Sequence, residues 1–176
     1  MIEISGLATG IGSLPYKDTE EALDLIFKYI PDIPFWPQLP RRSIFEGMIA
    51  QFSENIPCIK VNSSGVFYDA ADKERELELF YSKAIERDLG YFRISQEYAP
   101  GFYAFLERAD SLRSAAFIKT HITGPFTFAG GINDSSGISI LHDDIMFQAI
   151  VQGLKMKALW QISLLSSLKK KIILFI

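Results

Sequence analysis

The sequence predicts an α/β protein with parallel strands. Three observations predict it. Short apolar runs alternate with amphipathic helical patterns along the chain, the order of strand–helix units. The last run, "KKKIILFI", is apolar on consecutive positions, as a strand covered on both faces is. With 176 residues, 48% of them hydrophobic, the chain can bury one real core.

Each element has a local reason. "GLATGIGSLP" reads as a short strand ending in a glycine-rich turn. Asp18 and Glu21 then open a helix in a capping-box pattern, and Leu23, Ile26, Phe27 and Ile30 recur at helical spacing. "IPFWPQLPRRS", residues 33–43, packs three prolines, two aromatics and two arginines into one segment, which allows only a very short strand near Phe35 and Trp36. Ser43 and Glu46 suggest a second capped helix, reaching about Phe52. "CIKVNSSGVFYD" has two β-rich arms around Asn62–Gly65 and predicts a hairpin. "ADKERELELFYSKAIERDLG" predicts a helix with Leu77, Phe80, Tyr81, Ala84 and Ile85 on one face and Gly90 as its left-handed cap. "YFRIS" suggests a short strand, "EYAPGFYAFLERA" a helix after its Pro-Gly step, and "AAFIKTHITGP" a strand running into a turn. A long helix is predicted from Asp143 to about Leu168, with acids at its start and lysines beyond its end. About four to five parallel strands result, and periodicity alone leaves the sheet either open or curled.

Composition narrows the function classes. The net charge of −3 shows no basic excess for nucleic acid. Cys58 is the sole cysteine, so no intrachain disulfide is possible, which suits a reducing, cytoplasmic setting. The first residues lack the pattern of a signal peptide, and lysines interrupt the apolar stretch near the end before it can span a bilayer. The expectation is a soluble protein that does not engage a membrane.

Three stretches at predicted carboxyl ends of strands carry the candidate site: Gly10–Pro15, Trp36–Arg42 and Thr123–Gly131. Gly12 and Ser13 can cradle a small ligand or form a plain tight turn; the third glycine of a dinucleotide fingerprint is missing. Trp36 can present a flat wall or simply pack, and Gln38 offers an amide. Arg41 and Arg42 can fork onto a carboxylate or phosphate, or can be a solvated helix start. His121 is either a ligand-binding or basic group at a strand end or a hydrogen-bonded, partly buried side chain. No zinc ligand set and no nucleophilic elbow is present, so neither a catalytic nor a metal-ligating residue is assigned.

"ATGIGSLP", "IPFWPQLPRRS", "QFSENIP", "EYAPGFYAF" and "TGPFTFA", taken in this order, resemble the cobalamin-independent methionine synthase and uroporphyrinogen decarboxylase superfamily. The resemblance runs over essentially the whole chain. It implies a (β/α)8 TIM barrel, of which residues 1–176 would be the N-terminal half with the hairpin as an insertion. It implies that Ile11, Gly12 and Ser13 match the family's homocysteine-binding turn, and that Thr123, Gly124 and Pro125 match a segment facing the barrel mouth. Where the methionine synthases carry an acidic residue in a His-Gly-Glu context, this chain reads Pro37-Gln38-Leu39-Pro40-Arg41. The family's zinc comes from later strands, so zinc is expected in a longer relative and no cofactor in this chain. The implied function is a fragment of a methyltransferase that methylates a thiol such as homocysteine, inactive alone. The alternative is a decarboxylase-like or non-catalytic small-molecule-binding protein. The partners expected are a small-molecule substrate and further copies of the chain, in a homo-oligomer that buries the open sheet edge.

Overall fold

The computed structural model describes residues 6–112 and 114–176. Helix α1, Thr19–Tyr29, starts where predicted: the Asp18 carboxylate accepts the Glu21 amide, and Leu23 and Ile26 face the core. The hairpin forms as its turn residues suggest, with β1, Ile59–Asn62, antiparallel to β2, Gly65–Tyr68. Helix α2 spans Lys73–Ile85, α3 Pro100–Glu107 and α4 Pro125–Gly130. Strand β3, Phe117–His121, is buried throughout. Helix α5, Asp144–Leu165, is capped by Asp143, which accepts the Ile145 and Met146 amides. Strand β4, Lys171–Phe175, runs parallel to β3 with Phe117 opposite Lys171 and His121 opposite Phe175.

The expectation of half a TIM barrel with four to five parallel strands is overturned. The described residues form four strands in two small sheets, the β1–β2 hairpin and the parallel β3–β4 pair. Two further segments lie alongside in parallel without becoming strands. Ser13 bridges to Gln38, and Phe35 bridges to Lys119 of β3. The reason is chemical. Pro34 and Pro37 lack the amide hydrogen that a ladder uses, so their segment reaches its neighbours only through single bridges. Gly12, at φ +145°, leaves the extended conformation where the first strand was expected.

Other expectations are corrected on similar grounds. The helix foreseen from Ser43 to Phe52 is two 3-10 turns, Ile44–Glu46 and Ala50–Phe52, separated by extended Gly47. Ser43 caps the first turn, but Glu46 points away to the Leu39 amide and to Arg42. Residues 91–95 form a turn and an irregular segment, not a strand. Helix α2 ends at a left-handed Arg87, not at Gly90, and Ile85 lies 82% exposed outside the core stripe held by Phe80 and Ala84. Strand β4 is half-exposed, not covered on both faces.

The Pro-rich segment Ile33–Leu39 is buried along its whole length. It is the spine against which the other elements pack. Trp36 meets Phe102 of α3 edge-on at 5.6 Å, and Phe102 in turn meets Trp160 of α5. Gly101 lies so close to Pro37 that an added Cβ would sit 2.1 Å from the Pro37 carbonyl oxygen. Rigid prolines suit this role, since the segment has few conformations to lose on ordering.

Candidate functional site

Strand alternation places Phe117, Lys119 and His121 on one face of β3, and Ile118 and Thr120 on the other. Thr120 is the anchor. The Trp36 indole N–H donates to its hydroxyl at 3.0 Å, and that hydroxyl donates to the Gln161 carboxamide of α5. Gln161 in turn donates to the His121 carbonyl oxygen at 3.1 Å. This chain of bonds fixes the carboxyl end of β3 against the Pro-rich segment and α5.

His121 stands in that frame. Its ring stacks on Trp36 at 3.9 Å and meets Phe52 edge-on at 6.2 Å. Gly12 lies against it: a Cβ there would come within 2.7 Å of the imidazole. The ring is buried, and among the described residues neither nitrogen has a hydrogen-bond partner. Burial, with the nearby positive charge of Lys119, pushes the imidazole down to about 3, so it is neutral at ordinary pH.

Lys119, two residues earlier, is also buried, with 3% of its surface exposed. Its ammonium donates to the carbonyl oxygens of Gly10 at 2.5 Å and Ile11 at 2.6 Å. The rings of Phe35 and Phe175 lie 5.4 and 4.7 Å from the charge. Burial pulls the amine down to about 8. Among the described residues, no ion pair joins Lys119 or His121 to a carboxylate.

A cavity of about 170 Å³ opens beside His121. Ile11, Gln38, Thr123 and Gly124 line it with His121, so all three predicted loops contribute. Phe52 and Phe175 complete much of its apolar wall. Gln38 is held by donating to Gln51, which donates to the Tyr98 carbonyl oxygen. Thr123 donates to the Met48 carbonyl oxygen at 2.5 Å. The polar groups around the cavity are therefore oriented before any ligand arrives.

The remaining predicted residues fall around this centre in different ways. Gly12 and Trp36 are buried supports of the imidazole. Ser13 is exposed and takes part through its backbone bridge to Gln38. Pro125 lines a different, apolar groove of about 320 Å³ between β4 and α5. Arg41 is exposed, and Arg42 is tied to Glu46 at 2.7 Å and to Thr19 at 2.8 Å, so neither arginine lines the cavity. The expectation of a hydrogen-bonded, partly buried His121 is also corrected: the ring is buried and unpartnered.

Sequence reasoning missed Lys119, Gln51 and Gln161. For Lys119 a signal existed: a lysine inside an otherwise apolar strand, two residues before a histidine, shares that histidine's face. The two glutamines sit in helical patterns that gave no sign of burial.

The residues present do not fit zinc, since among the described residues no three His, Cys, Asp or Glu side chains gather as a metal-binding group. No helix among them is long and apolar enough to cross a membrane. No family model, curated protein or solved structure matches the chain.

Proposed function

We propose that this chain holds the acceptor of a methyl transfer, a small thiol-bearing amino acid of the homocysteine class, in the cavity beside His121. The observation that carries this reading is convergence. Ile11, Gln38, His121, Thr123 and Gly124 come from three separate parts of the chain and surround one small space, with Gly12 against the imidazole. The resemblance matches the first of these stretches to a homocysteine-binding turn and the last to a segment facing the barrel mouth. Size supports the same reading. Drug-sized ligands fill pockets of roughly 300–1,000 Å³; about 170 Å³ suits a compact amino acid and is too small for a tetrapyrrole.

The decarboxylase alternative loses its support at the arginines. It needs cations around several substrate carboxylates, and Arg41 and Arg42 do not reach the cavity. Thiol methylation needs the thiolate, which zinc provides in the methionine synthases. No metal-ligand group occurs among the described residues, so the chain's part in this reading is to bind and orient. The exposed edge of β4 and the apolar groove beside it support a homo-oligomer as part of the same proposal, to be tested by sedimentation.

The test is calorimetric titration with homocysteine, followed by a methyl-transfer assay with zinc and a methyl donor. The reading expects saturable, one-site binding without turnover by the chain alone. Absence of homocysteine binding at millimolar concentration overturns it, as does zinc-dependent methylation by the chain with nothing added.

A further inference from the structure

We propose that the cavity is an anion site, in which His121 donates a hydrogen bond to a ligand carboxylate and Lys119, held behind the wall, supplies the balancing charge. The proposal rests on the binding reading above for the location of the ligand, and it adds which end of the ligand is recognised and by what.

A buried polar side chain in a folded protein nearly always has a hydrogen-bond partner. His121 has none, and it faces a cavity. A neutral imidazole offers one N–H donor and one acceptor nitrogen. Of the other polar groups lining the cavity, Gln38 donates one hydrogen bond to Gln51, Thr123 donates to Met48, and Thr127 is exposed. Among the described residues, His121 is thus the buried lining side chain whose polar atoms have no partner at all.

Charge favours the same ligand. Lys119 touches the cavity's own wall from behind. Its ammonium donates to the Ile11 carbonyl and lies against the Phe175 ring, and both Ile11 and Phe175 line the cavity. Carbonyl dipoles and ring faces orient an ammonium but leave its charge in place. Among the described residues, no side-chain carboxylate lines the cavity and no ion pair reaches Lys119. The buried carboxylate of Glu46 is taken by Arg42 and the Leu39 amide. A cation at low effective dielectric with no counter-ion favours an anion entering the adjoining space. The apolar lining from Phe52, Ile122 and Phe175 suits a short carbon chain behind the carboxylate.

The chain has two histidines, so the imidazole resonances of His121 are separated from those of His142 by one His142→Gln variant. The full chain is titrated with homocysteine, with butyrate, which has only the carboxylate, and with 3-aminopropane-1-thiol, which lacks it. Homocysteine and butyrate are expected to shift the His121 ring signals in a saturable way. The carboxylate-free thiol is expected to bind about tenfold more weakly or worse, the loss of a charge-assisted contact. Lys119→Met is expected to weaken butyrate binding by a similar factor, while Lys157→Met, which removes a buried amine elsewhere, leaves it unchanged. Equal binding of homocysteine and its carboxylate-free analogue overturns the anion site and leaves the binding reading intact. Butyrate binding without homocysteine binding supports the anion site and overturns the reading. Binding of neither overturns both. The wild-type titrations decide the matter even if Lys119→Met fails to fold.

Discussion

Lys60 and Lys119 both leave a β-strand, and the molecule treats them in opposite ways. Lys60 of β1 meets Glu76 of α2 at 2.6 Å, and Lys73 at the start of α2 meets Asp143 at 2.5 Å. Donating hydrogen bonds to these carboxylates raises both amines above their ordinary values. Lys119 of β3 has only carbonyls and rings around it, and burial lowers it. The cleft beside the hairpin, about 440 Å³, is larger than the cavity beside His121, yet its lysine is paired: Lys60 meets Glu76, and Glu54 accepts from the Ser95 amide. The lesson is that size does not mark the candidate site. Unanswered polarity in the wall of a cavity does.

The sharpest way to break this contrast is Gly12→Ala. The φ of +145° strains any L residue, and the new methyl collides with His121. The expected cost is roughly 2–5 kcal/mol, with loss of binding, read by urea unfolding and titration. An unchanged denaturation midpoint would mean that Gly12 does not support the imidazole.

Lys157→Met comes next. Its amine is buried in α5 without a hydrogen bond, and Glu54 is the carboxylate whose charge it feels. Replacing it with an apolar side chain of similar length is expected to stabilise the protein by about 1–3 kcal/mol. Lys60→Met, at a half-exposed pair, is expected to cost under about 1 kcal/mol. The opposite signs of the two changes are the contrast in its simplest form, and destabilisation by Lys157→Met would remove it.

A pH series sharpens it further. Lys119 and Lys157 both lie near 8 when folded and near the ordinary 10.5 when unfolded. Between these values the unfolded chain binds more protons, so stability rises with pH, by roughly 1 kcal/mol per lysine from pH 8 to 9. Above pH 9 the rise is opposed. Cys58 is pushed up to about 11 by burial, from an ordinary 9.0, so the unfolded chain loses its thiol proton first. The raised amines of Lys60 and Lys73 keep their contribution throughout this window, because they titrate above it. Urea midpoints at pH 7.5, 8, 8.5 and 9 test the rise; a flat or falling series counts against unpaired burial of the two amines. The smallest effect belongs to Arg41→Ala, an exposed side chain outside the cavity, expected to change stability by under about 0.5 kcal/mol and binding not at all.

Much of the fold could be read before the structure. Leu23 and Ile26 marked α1, Asn62–Gly65 marked the hairpin, and Asp143 marked the start of α5. These signals are local, since each depends on spacing or a cap within a few residues. What failed was pairing. A strand needs a partner's donors and acceptors, and the sequence around Gly12 and Pro34 suggests strands that in three dimensions make only single bridges. The site divides in the same way. Ile11, Gln38, His121 and Thr123 were visible because unusual loops carried them, and the structure brings them to one cavity. Arg41 and Arg42 drew attention by charge, but nothing local showed that Glu46 would turn back and hold Arg42. Lys119 was overlooked because a lysine on an apolar strand reads as a surface residue until its neighbours are known.

The central claim is that unanswered polarity at His121 and Lys119 marks where a small carboxylate binds. Crystals grown with homocysteine test it most directly. The account predicts ligand density in the cavity beside Phe52 and Phe175, with a carboxylate oxygen within hydrogen-bond distance of an imidazole nitrogen of His121. Density in the hairpin cleft between Glu54 and Glu76, with the His121 ring still unpartnered, would contradict it.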